Sequence, residues 1–469
     1  LLTLFYRFFR PIVEACHVYA AQPPLFCIKH GKTIKYVLNE EERDALQKLI
    51  QWKNSRGRKP LILKGARQTG KTWLMKEFGR LYYKDTIYIN FENEQRFRSL
   101  FQNDFNVSRI ISTLQLYYGR LIVPEDTLII FDEIQAVEGG VTSLKYFYED
   151  APQYSVIAAG SLLGISIHEN QSFPVGKVSF IDLHPLSFGE FLKANNKEML
   201  LQAMIRQEWD LVKVFHEELM TLLRTYLFVG GMPEVVQIWI DNHDYRLVRE
   251  KQTEILLSYS GDFSKHVPLQ QIPRLNMVWD SLPAQLSKEN KKFVYNILRE
   301  GARAKDFEIA IMWLYNCGLV LKLHRVKAPQ LPLKSYHDMQ VFKLFMVDVG
   351  LLTASMGLDE KTLLEENKIL TEFKGALAEQ YVMQELTTIG CDYIGYWTNE
   401  RSTSEVDFVI QKEGEIIPIE VKSGENLHAK SFTLFCEKYK PSKAIKTSPL
   451  PYQDNGKVVN VPLYGIAYI

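Results

Sequence analysis

The run GARQTGKT, from Gly65 to Thr72, constrains this chain more than any other stretch of it. It fits G-x-x-x-x-G-K-[ST], and it sits between the apolar run LILK (61 to 64) and the helix-like WLMKEFG. A glycine-bearing loop in that position presents successive backbone N–H groups at a helix N-terminus, where the helix dipole favours an anion. Gly65, Ala66, Arg67, Gln68, Thr69, Gly70, Lys71 and Thr72 therefore read as a phosphate cradle. Lys71 would meet the β- and γ-phosphates, and Thr72 would place its hydroxyl on Mg2+. Gly65 and Gly70 permit backbone conformations that side chains would obstruct. The ligand implied is ATP with Mg2+.

The run LIIFDE supplies the second half, an apolar strand ending in Asp132 and Glu133. Carboxylates there fall at the C-terminal edge of a parallel sheet, where ligands bind. Asp132 would hold Mg2+ through water, and Glu133 would orient and deprotonate the attacking water. Further strands read at LILK, TIYINF (86 to 91), SVIAAGS (155 to 161) and VSFIDL (178 to 183), alternating with helices, so a parallel α/β sheet is predicted over 36–235. Ser161, at the tip of its strand, is either a γ-phosphate sensor or a turn serine.

With 469 residues, 46% of them apolar, the chain can fill about three domains. Its formal charge of +1 excludes nucleic-acid binding through bulk charge alone, so any basic surface is local. Five scattered cysteines without a CxxC pair argue against a disulfide scaffold or zinc ribbon and fit a reducing, cytoplasmic setting. Residues 1–35 are apolar but broken by Arg7, Arg10, Glu14 and prolines; they read as an extension without a membrane span or signal peptide.

Over 236–355 helical periodicity takes over and ends in two strand-like runs, LVLKLHRV and VFKLFMVD, the pattern of a winged helix. Arg274 to Lys334 carries 11 Lys or Arg against 5 Asp or Glu. Lys288, Lys291, Lys292, Arg299, Arg303 and Lys305 are the candidate DNA contacts; the alternative is a solvated charged face. Trp279 and Trp313, at helical apolar spacing, read as core.

The segment 356–469 holds SEVDFVIQKEGEIIPIEVKSG, two strands that turn at Glu413-Gly414. That register puts Asp407 opposite Glu420 and Glu405 opposite Lys422, all on one face. This is either an ordinary half-solvated sheet or a D-x(n)-E-x-K metal site, in which Asp407 and Glu420 bind Mg2+ and Lys422 polarises water or phosphate. Glu379, lone on the apolar stripe Gly375, Val382, Met383 and Leu386, would complete the ligand set, since a buried carboxylate needs a partner. Pro418 argues against a central place for the second strand.

GARQTGKTWLMKEF, LIIFDEIQ, AAGSLLG, LHPLSFGEFL and GGMPE together resemble the bacterial and archaeal AAA-type ATPases with a C-terminal restriction-endonuclease-like domain, over about residues 40 to 469. The resemblance implies an α/β parallel-sheet P-loop ATPase domain, a helical or winged-helix middle domain and a small α/β nuclease-like domain. It also implies that Pro233, in the turn Gly231-Met232-Pro233, lies against adenine, and it agrees with a helical acid preceding Asp407 and Glu420-x-Lys422. The function to expect is an ATPase controlling a Mg2+-dependent nuclease that acts on DNA, or else a nucleotide-gated signalling or scaffold protein that binds without cutting. Rings and monomers are both compatible with these residues.

Overall fold

The computed structural model describes residues 44–102, 104–160, 174–288, 291–360, 375–399, 404–424 and 429–469, with the backbone alone at 27–30, 33–36 and 265–266. The chain divides into two compact units, Leu1–Arg43 and Asp44–Ile469. In the first, β1 (Cys27–His30) and β2 (Thr33–Tyr36) form an antiparallel pair.

The second unit opens with α1 (Asp44–Asn54), then alternates strand and helix: β3 (Leu61–Lys64), α2 (Lys71–Tyr82), β4 (Asp85–Asn90), α3 (Val107–Tyr118), β5 (Thr127–Asp132), α4 (Gly140–Asp150), β6 (Ser155–Ala159) and β7 (Ser179–Asp182). The five predicted strands all form and make one parallel sheet in the order β4-β5-β6-β3-β7. Alternate residues of each strand face opposite layers. Leu61, Leu63, Leu128 and Ile130 pack with Leu49 of α1 and Phe78 of α2, while Ile62, Ile129 and Phe131 pack with Ile110 of α3 and Leu144 of α4. A strand covered on both faces reads as a near-continuous apolar run, as the inner strands β3, β5 and β6 do, whereas the edge strands β4 and β7 carry polar residues.

Helices follow: α5 (Phe188–Ala194), α6 (Glu198–Ile205), α7 (Trp209–Val214), α8 (His216–Val229), α9 (Pro233–Asn242), α10 (Tyr245–His266), α11 (Ile272–Leu286) and α12 (Ala304–Asn316). Trp279 and Trp313 are core residues, each edge-on to Phe263. The hairpin of β8 (Val320–Val326) and β9 (His337–Met346) precedes α13 (Val349–Ser355) and α14 (Ala376–Leu386). Then come β10 (Tyr393–Thr398), β11 (Glu405–Lys412), β12 (Glu415–Val421), α15 (Lys430–Tyr439), β13 (Ala444–Ser448), β14 (Gln453–Asn455) and β15 (Val458–Pro462).

The β8–β9 hairpin does not stand alone as a wing. It extends the C-terminal sheet, whose order is β14-β15-β13-β12-β11-β10-β8-β9, because β10 pairs in parallel with β8. The physical reason is the unpaired backbone of β8, which β10 satisfies. A division at residue 355 therefore crosses a single sheet. Pro418 does lie in a central strand, contrary to the expectation from its missing N–H. It pairs with Val409 of β11, and the β12–β13 ladder begins only at Ile419, so no hydrogen bond of that ladder is lost.

Candidate functional site

The phosphate loop connects β3 to α2, and its backbone requires its glycines. Gly70 caps α2 with φ of 85°, and a Cβ on Gly65 would lie 2.3 Å from the Leu183 carbonyl oxygen. Thr69 Oγ1 donates to the Ala66 carbonyl at 2.8 Å and fixes the turn. Lys71 is 7% exposed, and its ammonium donates to the carbonyls of Gly65 (2.8 Å) and Ala66 (2.7 Å). Burial lowers its pKa to about 8, with Glu133 and Asp132 pulling in the other direction. The Arg67 side chain does not remain in the loop: it pairs with Asp262 of α10, and Tyr259 of the same helix donates to the Arg67 carbonyl at 2.8 Å. The loop is thus clamped from the helical segment. A Cβ on Gly318, in the turn after α12, would come 3.3 Å from Ala66 N.

Asp132 ends β5, and Thr72 Oγ1 donates to its Oδ2 at 2.7 Å. The same oxygen accepts from Tyr88 of β4 at 2.9 Å, and burial followed by the Asp132 charge raises the Tyr88 pKa to about 12. A hydroxyl and a buried carboxylate in contact at the mouth of the loop form an all-oxygen donor set, the chemistry Mg2+ takes, so these residues fit that ion. Glu133 has φ of 51°, an unusual conformation for a residue other than glycine, and its carboxylate accepts from Gln135 Nε2 at 2.5 Å. Ser161 lies outside the described residues.

The turn Gly231-Met232-Pro233 leads into α9 with Pro233 in its first turn. Gly231 is bonded on both sides: its carbonyl accepts from Leu186 N at 2.7 Å and its N–H donates to Asp348 Oδ1 at 2.6 Å. Asp348 also accepts from Leu351 N at 3.0 Å, so it caps α13 as well. From α14, Gln384 accepts from Val349 N at 2.9 Å and donates to the Tyr226 hydroxyl at 2.8 Å, while Tyr226 donates to the Leu186 carbonyl at 2.5 Å. A closed buried network therefore joins this turn to α13 and α14.

The C-terminal hairpin turns at Glu413-Gly414, both with positive φ, and its ladder from Lys412–Glu415 to Phe408–Ile419 has the predicted register. Asp407 Oδ2 accepts from Val421 N at 2.8 Å, and Lys422 Nζ lies 2.9 Å from Glu420 Oε1. Glu420 Oε2 is buried without a hydrogen-bond partner among the described residues. Burial, then Glu379 and Glu420, raise the Asp407 pKa well above the usual carboxylate range. Glu379 is buried as expected, but its partners are lysines: Lys291 at 2.6 Å and Lys343 at 3.5 Å. Lys343 is also 2.6 Å from Glu405. Among the described residues no group of three or more His, Cys, Asp or Glu is arranged to hold a metal ion. Two of the three acids are already engaged, Glu379 by Lys291 and Lys343 and Glu420 by Lys422.

Residues 57–192 match the family model described as "AAA domain". This segment is an AAA-type P-loop ATPase domain. Residues 220–362 and 374–464 match two further models, each described as a domain of unknown function (DUF8612 and DUF4143). Among solved structures the chain is similar to a Walker-type ATPase of Pyrococcus abyssi, with 15% identity, 68% of this chain and 96% of that one covered, and a TM-score of 0.42. It is also similar to the Aeropyrum pernix ORC1 protein in complex with DNA, with 13% identity, 69% and 93% covered, and a TM-score of 0.26. Curated relatives match over short stretches. A DNA topoisomerase 4 polypeptide of Pseudomonas aeruginosa is 50% identical over 58 residues, 12% of this chain and 9% of that protein. A DNA gyrase polypeptide of Enterococcus faecalis is 73% identical over 37 residues, 8% and 6% respectively. The chain thus spans under a tenth of these relatives' length.

Beyond the ATPase domain, the basic candidates separate into two kinds. Lys288, Lys292, Arg299, Arg303 and Lys305 are exposed, whereas Lys291 is 4% exposed and committed to Glu379, which corrects its assignment as a DNA contact. Sequence reasoning missed Tyr88, Tyr259, Asp262, Asp348 and Lys343, each of which has a partner distant along the chain. No helix among the described residues is long and apolar enough to cross a membrane.

Proposed function

We propose that this chain is a nucleotide-gated ATPase whose C-terminal sheet binds a partner without cutting it. In this reading Lys71 exchanges its bonds to the Gly65 and Ala66 carbonyls for β- and γ-phosphate oxygens, while loop N–H groups from Arg67 to Thr72 surround the phosphate. Thr72 and Asp132 would hold Mg2+, which would supply charge neutralisation for phosphoryl transfer when bound. Glu133 orients the attacking water and takes its proton, Ser161 senses the γ-phosphate and Pro233 lies against the base.

The single observation that supports this most is the 2.7 Å contact of Thr72 with Asp132 beside the buried Lys71. The nucleotide state would reach the C-terminal sheet through Gly231, Asp348 and Gln384. Among partners DNA comes first, because five basic candidates of the middle segment are exposed. ATP turnover tests the reading: Lys71→Ala should abolish it, and Glu133→Gln should bind ATP while hydrolysing it about 100-fold more slowly. Unchanged hydrolysis in Lys71→Ala refutes the ATP site.

A second reading, a Mg2+-dependent DNA nuclease using Asp407, Glu420 and Lys422 with Glu379, is favoured by the hairpin register and the Glu420–Lys422 pair. Plasmid cleavage that is lost in Glu420→Ala would establish it.

A further inference from the structure

Two of the C-terminal acids, Glu379 and Glu405, receive their cations from residues that precede their own segment in the chain. Lys291 follows α11 and Lys343 stands on β9, whereas Glu379 belongs to α14 and Glu405 to β11. Both lysines are buried, Lys343 completely. The Lys343 ammonium lies 2.6 Å from Glu405 Oε1, 3.5 Å from Glu379 Oε2 and 4.8 Å from the Tyr396 ring centroid. The other Glu379 oxygen is 2.6 Å from Lys291. With Lys422 on Glu420, three ammonium groups stand against the four carboxyls Glu379, Glu405, Asp407 and Glu420.

We propose that the Lys343 ammonium is the resident cation of this acid cluster, so that it excludes a divalent metal and locks α14 and β11 to β9 at the edge of the C-terminal sheet. A divalent ion needs carboxylate oxygens converging at about 2.0–2.6 Å, and two of these acids instead converge on an amine. A second cation beside a buried ammonium is repelled at short range with little solvent to screen it. Nor can the amine swing out readily: the Lys343 side chain is completely buried, so withdrawing it means displacing the groups packed around it. The lock is therefore a fixed part of the fold.

This inference rests on the non-cleaving reading, and its test is separate from the ATPase. Nucleotide-free full-length protein is titrated with Mn2+, and free ion is followed by electron paramagnetic resonance in wild type, Asp407→Asn, Lys343→Met and the Lys343→Met/Asp407→Asn double variant. Wild type and Asp407→Asn should bind Mn2+ alike, and Lys343→Met should gain about one ion that the double variant loses. An Mn2+ site in wild type that vanishes in Asp407→Asn overturns the proposal, as does a folded Lys343→Met without the gain. If Lys343→Met fails to fold, the comparison of wild type with Asp407→Asn still decides. ATP hydrolysis in the same wild-type preparation reports on the P-loop independently: its absence refutes the ATPase reading and leaves the lock to the Mn2+ result.

Discussion

Asp348 accepts the Gly231 N–H at 2.6 Å, so the carboxylate that caps α13 also fixes the turn preceding α9. The two backbones meet closely: a Cβ on Gly230 would lie 2.2 Å from Asp348 Oδ2, and one on Gly350 would lie 2.4 Å from the Val229 carbonyl oxygen. Only glycines permit this crossing, and it makes one buried acid the joint between the ATPase segment and the segments that follow.

Burial raises the Asp348 pKa to about 6, against the N–H groups of Gly231, Leu351 and Gly350 that pull it down. The folded value lies above the unfolded one, so folding favours the proton. The group's contribution is full below about pH 4 and is lost as pH rises through about 6, a fall of about 3 kcal/mol. Asp348→Asn, which cannot ionise, should flatten the melting temperature between pH 4 and 7 relative to wild type. An identical pH profile would refute the assignment. Asp348→Ala should destabilise by about 3 kcal/mol near pH 4 by stranding two buried N–H groups, and by less as pH rises through about 6, read from the urea midpoint.

Tyr88→Phe removes one of two hydroxyls on Asp132 Oδ2 while keeping the ring. A hydrogen bond to a charged group contributes about 1.5–3 kcal/mol. The variant should therefore need roughly tenfold more Mg2+ for half-maximal ATP turnover, with the fold intact by circular dichroism. An unaltered Mg2+ dependence would mean that Tyr88 does not position the carboxylate.

The phosphate loop, the five strands of the first sheet and the hairpin turn at Glu413-Gly414 were legible because each is encoded within a few residues of itself. The loop has its fixed spacing, the strands their apolar runs, and the hairpin a turn that sets every facing pair. What the sequence hid is non-local. Glu379 does need partners once buried, but Lys291 and Lys343 lie 88 and 36 residues away, and Glu405 lies 62 from Lys343. Nothing local distinguishes a lysine bound for a buried acid from one bound for solvent, so Lys291 reads like the surface cations around it. For the same reason the β8–β9 hairpin looked complete: its partner strand β10 begins more than 40 residues later.

Gly231→Ala tests the close approach of the turn to Leu186. The added Cβ would lie 2.1 Å from the Leu186 carbonyl oxygen, a backbone atom that cannot rotate away. Destabilisation of about 2–3 kcal/mol is expected, together with weaker ATP binding by fluorescent-nucleotide titration. Gly261→Ala is the contrast: its Cβ meets nothing within 4 Å in α10, so the substitution should stabilise by about 0.5–1 kcal/mol. Equal effects from the two would refute the packing argument.

The basic residues of the middle segment should divide by burial when DNA binding is measured. Lys291→Ala leaves Glu379 short of a cation in a buried site, and removing one partner of such a pair costs about 3–5 kcal/mol. Its effect should appear as a lowered urea midpoint. Arg299→Ala and Lys305→Ala, both exposed, should leave that midpoint within about 0.5 kcal/mol of wild type. If this face meets phosphates, each should instead weaken binding to mixed-sequence duplex DNA and reduce the slope of log affinity against log salt by about 1. Slopes unchanged in both variants would exclude these two residues as phosphate contacts, whereas an unchanged midpoint in Lys291→Ala would remove the ion pair from the account of the fold.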